Sequence, residues 1–171
     1  LDLFLRERLV NLANIIDNPE FAARTVDEAV LRGFLDDLQH ANSAFVDLGV
    51  VGEAGELQMY VGPVSFPSDV NYQSEDWFRD LLARDRRSIM TEIYAGFRGR
   101  PHFTIAVKRQ RADGVQVLRS TLSPERLSDY LRTLEGASEV HAAVVNGAGV
   151  LQITTPRTGD PLRGSHFVPP A

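Results

Sequence analysis

A nine-residue pattern occurs twice in this chain. Val50-Val51-Gly52-Glu53-Ala54-Gly55-Glu56-Leu57-Gln58 returns 94 positions later as Val144-Val145-Asn146-Gly147-Ala148-Gly149-Val150-Leu151-Gln152, and the shared string is V-V-x-x-A-G-x-L-Q. Each copy sets apolar residues on both sides of a glycine-containing turn, which is the signature of a β-hairpin. Generic hairpins produce such strings by coincidence, and that reading stays open. The other reading is that a second copy of one sheet-forming unit opens near residue 140 and is cut short by the end of the chain, because repeated strings usually encode repeated folds.

The segments around the two copies give the remaining elements. Leu5, Leu9, Leu12 and Ile16 recur at spacings of four, three and four, which predicts a helix ended by Asp17-Asn18-Pro19. A second helix is expected from Thr25, which has capping-box spacing to Glu28, with Val30, Phe34, Leu35 and Leu38 as its apolar face. After the first hairpin, residues 62–71 are punctuated by Pro, Gly and Ser, and Ser74 opens a short helix with acids in its first turn. Strands follow at 88–97, 102–109 and 115–122, joined by short turns that make the meander antiparallel. Ser123 and Pro124 then begin a helix reaching about Glu135. The fold class is α+β: a long N-terminal helix, an antiparallel sheet with flanking helices, and the start of a second such unit.

Several functions are excluded or disfavoured. No apolar run approaches the ~18 residues of a membrane-spanning helix, and the N-terminus lacks the layout of a signal peptide. A net charge of -5 disfavours general nucleic-acid binding. The charge is uneven, since residues 84–111 hold eight Arg or Lys against Asp85 and Glu92. That stretch reads either as a solvated edge or as an attraction for small anions. The absence of cysteine rules out disulfides, thiolate zinc sites and thiol nucleophiles. His40, His102, His141 and His166 are scattered without ligand spacing, so no metal is expected. None of the common nucleophile, zincin, phosphate-loop or dinucleotide motifs occurs, so no catalytic residues and no cofactor are expected. Haem or flavin binding is weakened further by the missing cysteine, with His102 its one foothold.

Taken in order, long helix, hairpin, short helix, three-strand meander, linking helix and second hairpin, the chain resembles the double Cache, PAS-like extracytoplasmic sensor domains of bacterial membrane-bound histidine kinases. The strings that carry this are Leu48-Gly49-Val50-Val51 with Gly55, Tyr60-Val61-Gly62-Pro63, Tyr72 with Trp77-Phe78, Gly96-Phe97-Arg98 with 101–107, Leu118-Arg119-Ser120-Thr121, and the second hairpin. The resemblance implies four parts: an N-terminal helical stalk at 1–43 rising from a membrane-spanning segment outside this sequence, a membrane-distal PAS-like lobe at 44–122, a linking helix at 123–137, and an incomplete membrane-proximal lobe at 138–171. It also implies a non-catalytic module that senses a small molecule on the periplasmic or extracellular face of the cell membrane and serves a two-component histidine kinase. A chemoreceptor, or a ligand-free dimerisation module, would fit the same chain. Ligand-binding candidates by this resemblance are Tyr72, Trp77, Tyr94, His102 and Thr121.

Amino-acid-sensing members of that family carry an Arg two positions before the Trp and an Asp near the end of the last distal strand. Here those places hold Glu75 and Thr121, from which the ligand is expected not to be a free amino acid. Trp77 and Phe78 read equally as core packing, and Tyr72 as a surface residue. The 5-9-12-16 stripe fits either a two-helix homodimer seam or packing onto the chain's own sheet. With Leu at position 1 and Pro169-Pro170-Ala171 following a domain-opening motif, the sequence is expected to be an excised piece.

Overall fold

In a computed structural model, residues 2–155 are described except 24–26, 42, 67, 68, 84, 97, 98, 100, 136–142 and 147. The elements are helices α1 (Asp2–Asp17), α2 (Pro19–Ala23) and α3 (Glu28–Ala41), strands β1 (Leu48–Val51) and β2 (Leu57–Val61), helix α4 (Asp76–Ala83), strands β3 (Ser88–Met90), β4 (Phe103–Arg111) and β5 (Gly114–Leu122), helix α5 (Pro124–Glu135), and strands β6 (Ala143–Val145) and β7 (Leu151–Thr154). Two compact units result. The first holds the residues up to Thr91 together with Thr104–Leu122; the second holds Glu92–Phe103 together with the residues from Ser123 onward. Among the described residues, no helix is long and apolar enough to cross a membrane.

The first unit is built on a five-stranded sheet of order β2-β1-β5-β4-β3. Strand β1 pairs antiparallel with β2 on one side and with β5 on the other, and β3 pairs antiparallel with β4. Both central strands are buried along nearly their whole length, as expected where each face of a sheet is covered. The helix stripes supply part of that cover. Leu12 and Ile16 of α1 and Leu31 of α3 are completely buried, and each such side chain contributes about 1.5–3 kcal/mol. Arg109 on β4 fastens α1 and α2 to the sheet, donating to the Ile16 carbonyl at 2.7 Å, the Phe21 carbonyl at 3.2 Å and Gln116 Oε1 on β5.

The stripe read from sequence therefore has its second half buried inside its own unit, and it cannot serve whole as the seam of a homodimer. The exposed apolar residues of α1 are Leu3 and Val10, which lie off that stripe. Two helix starts also differ from expectation. Thr25 lies outside the described residues, and the α3 cap is Asp27, whose carboxylate accepts the Val30 N–H at 2.8 Å. Helix α4 begins one residue later than read, with Glu75 rather than Ser74 supplying the carbonyl for the Phe78 and Arg79 amides. The strand expected over 88–97 stops at Met90, and from Glu92 the residues belong to the second unit.

That second unit contains the repeat as its own two-stranded sheet, β6-β7. The segment 92–103 is tied to it: the Ile93 N–H donates to Gln152 Oε1 at 2.6 Å, and Asn146 Nδ2 donates to Glu92 Oε2 at 2.6 Å.

Candidate functional site

Register places the first unit's site. Gly49 stands opposite Tyr60 on β2 and opposite Arg119 on β5, so these three share one face of the sheet. Arg119 lies across Gly49, where a Cβ would meet its Nε at 2.9 Å, and only glycine leaves room for the guanidinium. Just before β1, Asp47 sits with no exposure and Arg119 with a side-chain exposure of 3%. Arg119 Nη1 donates to both Asp47 carboxylate oxygens at 3.2 Å and to Thr121 Oγ1 at 3.1 Å. The Thr121 N–H donates to Asp47 Oδ1 at 2.7 Å, and Ser120 Oγ to the Asp47 carbonyl at 2.6 Å.

Three aromatic faces surround the cation: Tyr60 at 5.5 Å, Phe66 at 5.6 Å and Tyr72 at 5.4 Å from the guanidinium carbon. Such contacts are worth about 0.5–2 kcal/mol each where water is excluded. Tyr72 is placed by its own N–H, which donates to the Gly55 carbonyl in the first hairpin turn at 2.7 Å. Its ring packs at 5.4 Å on Trp77, from the first turn of α4. Burial raises the Tyr72 phenol above its ordinary range, opposed by the Arg119 charge and by a hydrogen bond with the Arg119 side chain. Burial also raises Tyr60, with a hydrogen bond to the Val64 backbone and the Arg119 charge opposing. Glu75, half-buried beside this cluster in sequence, is raised by burial first and then by the charge of Asp76.

Three buried donors in the cluster have no hydrogen-bond partner: Arg119 Nε, Arg119 Nη2 and Trp77 Nε1. Leaving a buried donor unpaired costs about 1–3 kcal/mol, more for a charged group. The arrangement is thus a desolvated cation, paired with the Asp47 carboxylate and hydrogen-bonded with the Tyr72 side chain.

Of the five residues expected from sequence, Tyr72, Trp77 and Thr121 fall in this unit: Tyr72 and Thr121 contact Arg119, and Trp77 packs on Tyr72. Thr121 serves as a hydrogen-bond partner of Arg119 and Asp47. Tyr94 and His102 belong to the second unit, where they exchange backbone hydrogen bonds at 3.0 and 3.1 Å and their rings lie 4.6 Å apart. Asp47 and Arg119 were missed. The signal for them was a single charge inside each of two otherwise uncharged strand runs, 45–51 and 115–122, which a buried strand tolerates only when the charges are paired.

A separate cleft of about 530 Å³ lies at the hairpin-turn end of the same sheet, lined among others by Gly52, Glu53, Glu56, Arg111, Asp113 and Gln116. None of the residues around Arg119 lines it. Among the described residues, no group of three or more His, Cys, Asp or Glu could hold a metal.

Solved structures match this architecture over almost the whole chain. The extracellular domain of a protein assigned as a histidine kinase superposes with TM-score 0.71 at 19% identity, over 96% of this chain and 66% of that one. The ligand-binding domain of the Pseudomonas fluorescens chemoreceptor CtaA, in complex with L-valine, gives 0.69 at 18%, over 95% and 71%. That of the Pseudomonas aeruginosa PAO1 chemoreceptor PctC, in complex with GABA, gives 0.71 at 19%, over 96% and 77%. The fold is that of these sensor domains. The chain spans about two thirds of the first and up to about three quarters of the others. No protein-family model matches the sequence, and no match was found among the curated proteins.

These structures overturn one expectation. Domains of this fold are bound to L-valine, L-isoleucine, L-serine, L-glutamine and GABA, which contradicts a ligand that is not a free amino acid. The charge argument considered only Glu75 and Thr121. It left out the buried Asp47–Arg119 pair beside Thr121.

Proposed function

We propose that this chain is the extracytoplasmic small-molecule sensing module of a transmembrane signalling receptor, a two-component histidine kinase or a chemoreceptor, and is itself non-catalytic. The ligand is held against the sheet of the first unit by the cluster around Arg119, Tyr72 and Trp77. Free amino acids, the ligands in the CtaA and PctC structures, belong in the first panel to be tried. What carries the reading is a buried cation with unpartnered donors, in a fold whose solved members are ligand-binding domains. Arranging such a group only for stability is poor design, because an apolar residue of similar volume would serve as well.

Thermal melting against a panel of amino acids, organic acids, amines, sugars and nucleobases tests this. A ligand at 100 times its dissociation constant stabilises by about 2.7 kcal/mol, which raises the melting temperature of a chain this size by roughly 5–11 °C. The competing reading is an assembly module without a ligand, favoured by the exposure of Leu3 and Val10 on α1. Silence across the panel, with a dimer mass in sedimentation that Val10→Glu abolishes, would establish that reading instead.

A further inference from the structure

We propose that the cleft at the hairpin-turn end of the first unit's sheet is a second binding site, which takes a small organic cation: an alkyl ammonium or guanidinium whose charged nitrogen is held by Glu56, with Glu53 supplying a further negative charge. This site goes beyond the sensing reading above and does not depend on it. Register separates the two places. Val50 and Met59 stand opposite one another and line the cleft, and with Gln116, two positions along β5 from Leu118, they lie on the face opposite Gly49, Tyr60 and Arg119. The cleft's volume of about 530 Å³ falls in the range of small-molecule sites. Two glycines make room there for two carboxylates. A Cβ on Gly52 would overlap the Glu56 carboxylate, and one on Gly114, at φ 126°, would meet Glu53 Oε2. Glu53 Oε2 accepts the Val115 N–H at 3.1 Å, and Glu56 Oε1 accepts from Gln58 Nε2 at 2.7 Å. Glu56 Oε2 is buried and has no hydrogen-bond partner, so the group that complements it is a donor. The charge balance points the same way. Arg111 is paired with Asp113 at 3.1 Å, which leaves Glu53 and Glu56 as the cleft's carboxylates in no ion pair among the described residues. A cationic N–H donor makes the strongest hydrogen bond to such an oxygen. A metal ion is a poor occupant, because among the described residues no group of three or more His, Cys, Asp or Glu could hold one. Val50, Met59 and Val115 give the cleft an apolar wall, which suits an alkyl stem behind the charged head.

The wild-type chain is titrated with pentylamine and butylguanidine, and with their neutral counterparts pentanol and butylurea, followed by calorimetry and by ¹⁵N–¹H spectra. The expected result is that at least one of the two cations binds about 10-fold or more tightly than its neutral counterpart. Its binding should move the amide resonances of 52–58 and 114–116. The indole resonance of the chain's single tryptophan, Trp77, which packs on Tyr72 at the other site, should stay still. Glu56→Gln keeps the shape and removes the charge, and should weaken the cation by about 10-fold or more. Glu53→Gln should weaken it by less, because Glu53 Oε2 is already engaged by the Val115 amide. A neutral compound that binds as tightly as its cation overturns the proposal, as does a cation whose affinity Glu56→Gln leaves unchanged or whose binding moves the indole and not the turn amides. Silence from both cations overturns it too, and so does calcium chloride moving the turn amides when neither cation does. Should Glu56→Gln fail to fold, the comparison of cation with neutral counterpart on the wild type, together with the place of the shifts, decides alone. Each of these failures leaves the Arg119 cluster and its thermal-melting test untouched, since none of that cluster's residues lines the cleft.

Discussion

The two copies of V-V-x-x-A-G-x-L-Q fold the same way and are used differently. In the first hairpin the Gly52 N–H donates to the Glu56 carbonyl and the Gly55 N–H to the Gly52 carbonyl, both at 3.0 Å. In the second, Asn146 bonds Val150 at 3.0 Å and Gly149 bonds Asn146 at 2.9 Å. Both have a bulge at the same place, after Val50 and after Val144, and both need a left-handed glycine, at φ 85° for Gly55 and 75° for Gly149. The turn is thus written in the nine residues themselves. What surrounds it is not. Asn146 completes its own turn, its side-chain oxygen accepting the Ala148 and Val150 amides. Gly52 has no side chain to do this, and the first turn is held from outside: Asn71 Nδ2 donates to the Ala54 carbonyl and the Tyr72 amide to the Gly55 carbonyl. The first turn therefore positions a residue of the candidate site, whereas the second closes on its own Asn146 side chain, which also donates to Glu92. β1 also gains β5 as a neighbour, which brings Arg119 over Gly49, whereas the position equivalent to Gly49 is Ala143.

The largest effect expected from this difference is at Asp47, which has a role only because β1 has that second neighbour. Asp47→Ala leaves the Arg119 cation buried without its counter-charge and should cost about 3–5 kcal/mol in urea unfolding. Asp47→Ala with Arg119→Met should recover at least about 1 kcal/mol of that loss. A double variant no more stable than the sum of its singles would show the two charges uncoupled. Next come the matched glycines. Gly149→Ala forces a left-handed alanine and should cost about 1–3 kcal/mol. Gly55→Ala carries the same strain and also drives a Cβ to 2.5 Å from the Gln73 amide nitrogen, a backbone atom that cannot swing away. It should exceed Gly149→Ala by at least about 1 kcal/mol and should also weaken ligand binding, because Tyr72 rides on that segment. Equal losses at the two glycines would mean that the outside latch contributes nothing. Asn146→Ala should cost about 1–2 kcal/mol for its two accepted amides and its bond to Glu92, read out as faster amide exchange at 146–150 and around Glu92 with the first turn unchanged.

The same contrast explains what was legible in the sequence. The two hairpins, the end of α1 at Asp17 and the α5 start at Ser123-Pro124 are local signals, with residues and partners within a few positions. Ser123 Oγ does accept the Arg126 amide, at 3.3 Å. The pair Asp47 and Arg119 is not local, since its members are 72 residues apart and meet only through the β1–β5 register. Neither run, 45–51 or 115–122, says which partner it will find. The strand over-extended past Met90 fails for a related reason: Ile93 and Tyr94 have strand-forming side chains, but their backbone partners are Gln152 and His102, in the second unit. Fold order was readable from periodicity and turns; the charges at the candidate site became visible only when the sheet was assembled.

The smallest expected effect concerns Glu75, at the start of α4 and beside Trp77, where the first unit has a covering helix that lies outside the repeat. Burial, and then the neighbouring Asp76 charge, hold the Glu75 carboxyl above its ordinary value of 4.5. Ionising it is therefore harder in the folded chain than in the unfolded one. Below the ordinary carboxylate range both states carry the proton and the group has no influence on stability. As pH rises through 4.5 the unfolded chain gives up its proton first, and the destabilisation grows until the folded carboxyl has ionised as well, after which it is constant. Glu75→Gln should leave stability unchanged near pH 3 and raise it slightly at pH 7, with the difference developing between those limits in urea titrations. Should the variant lose stability at pH 7 relative to wild type, the carboxylate must have a favourable partner in the folded chain, and burial would not be what governs it.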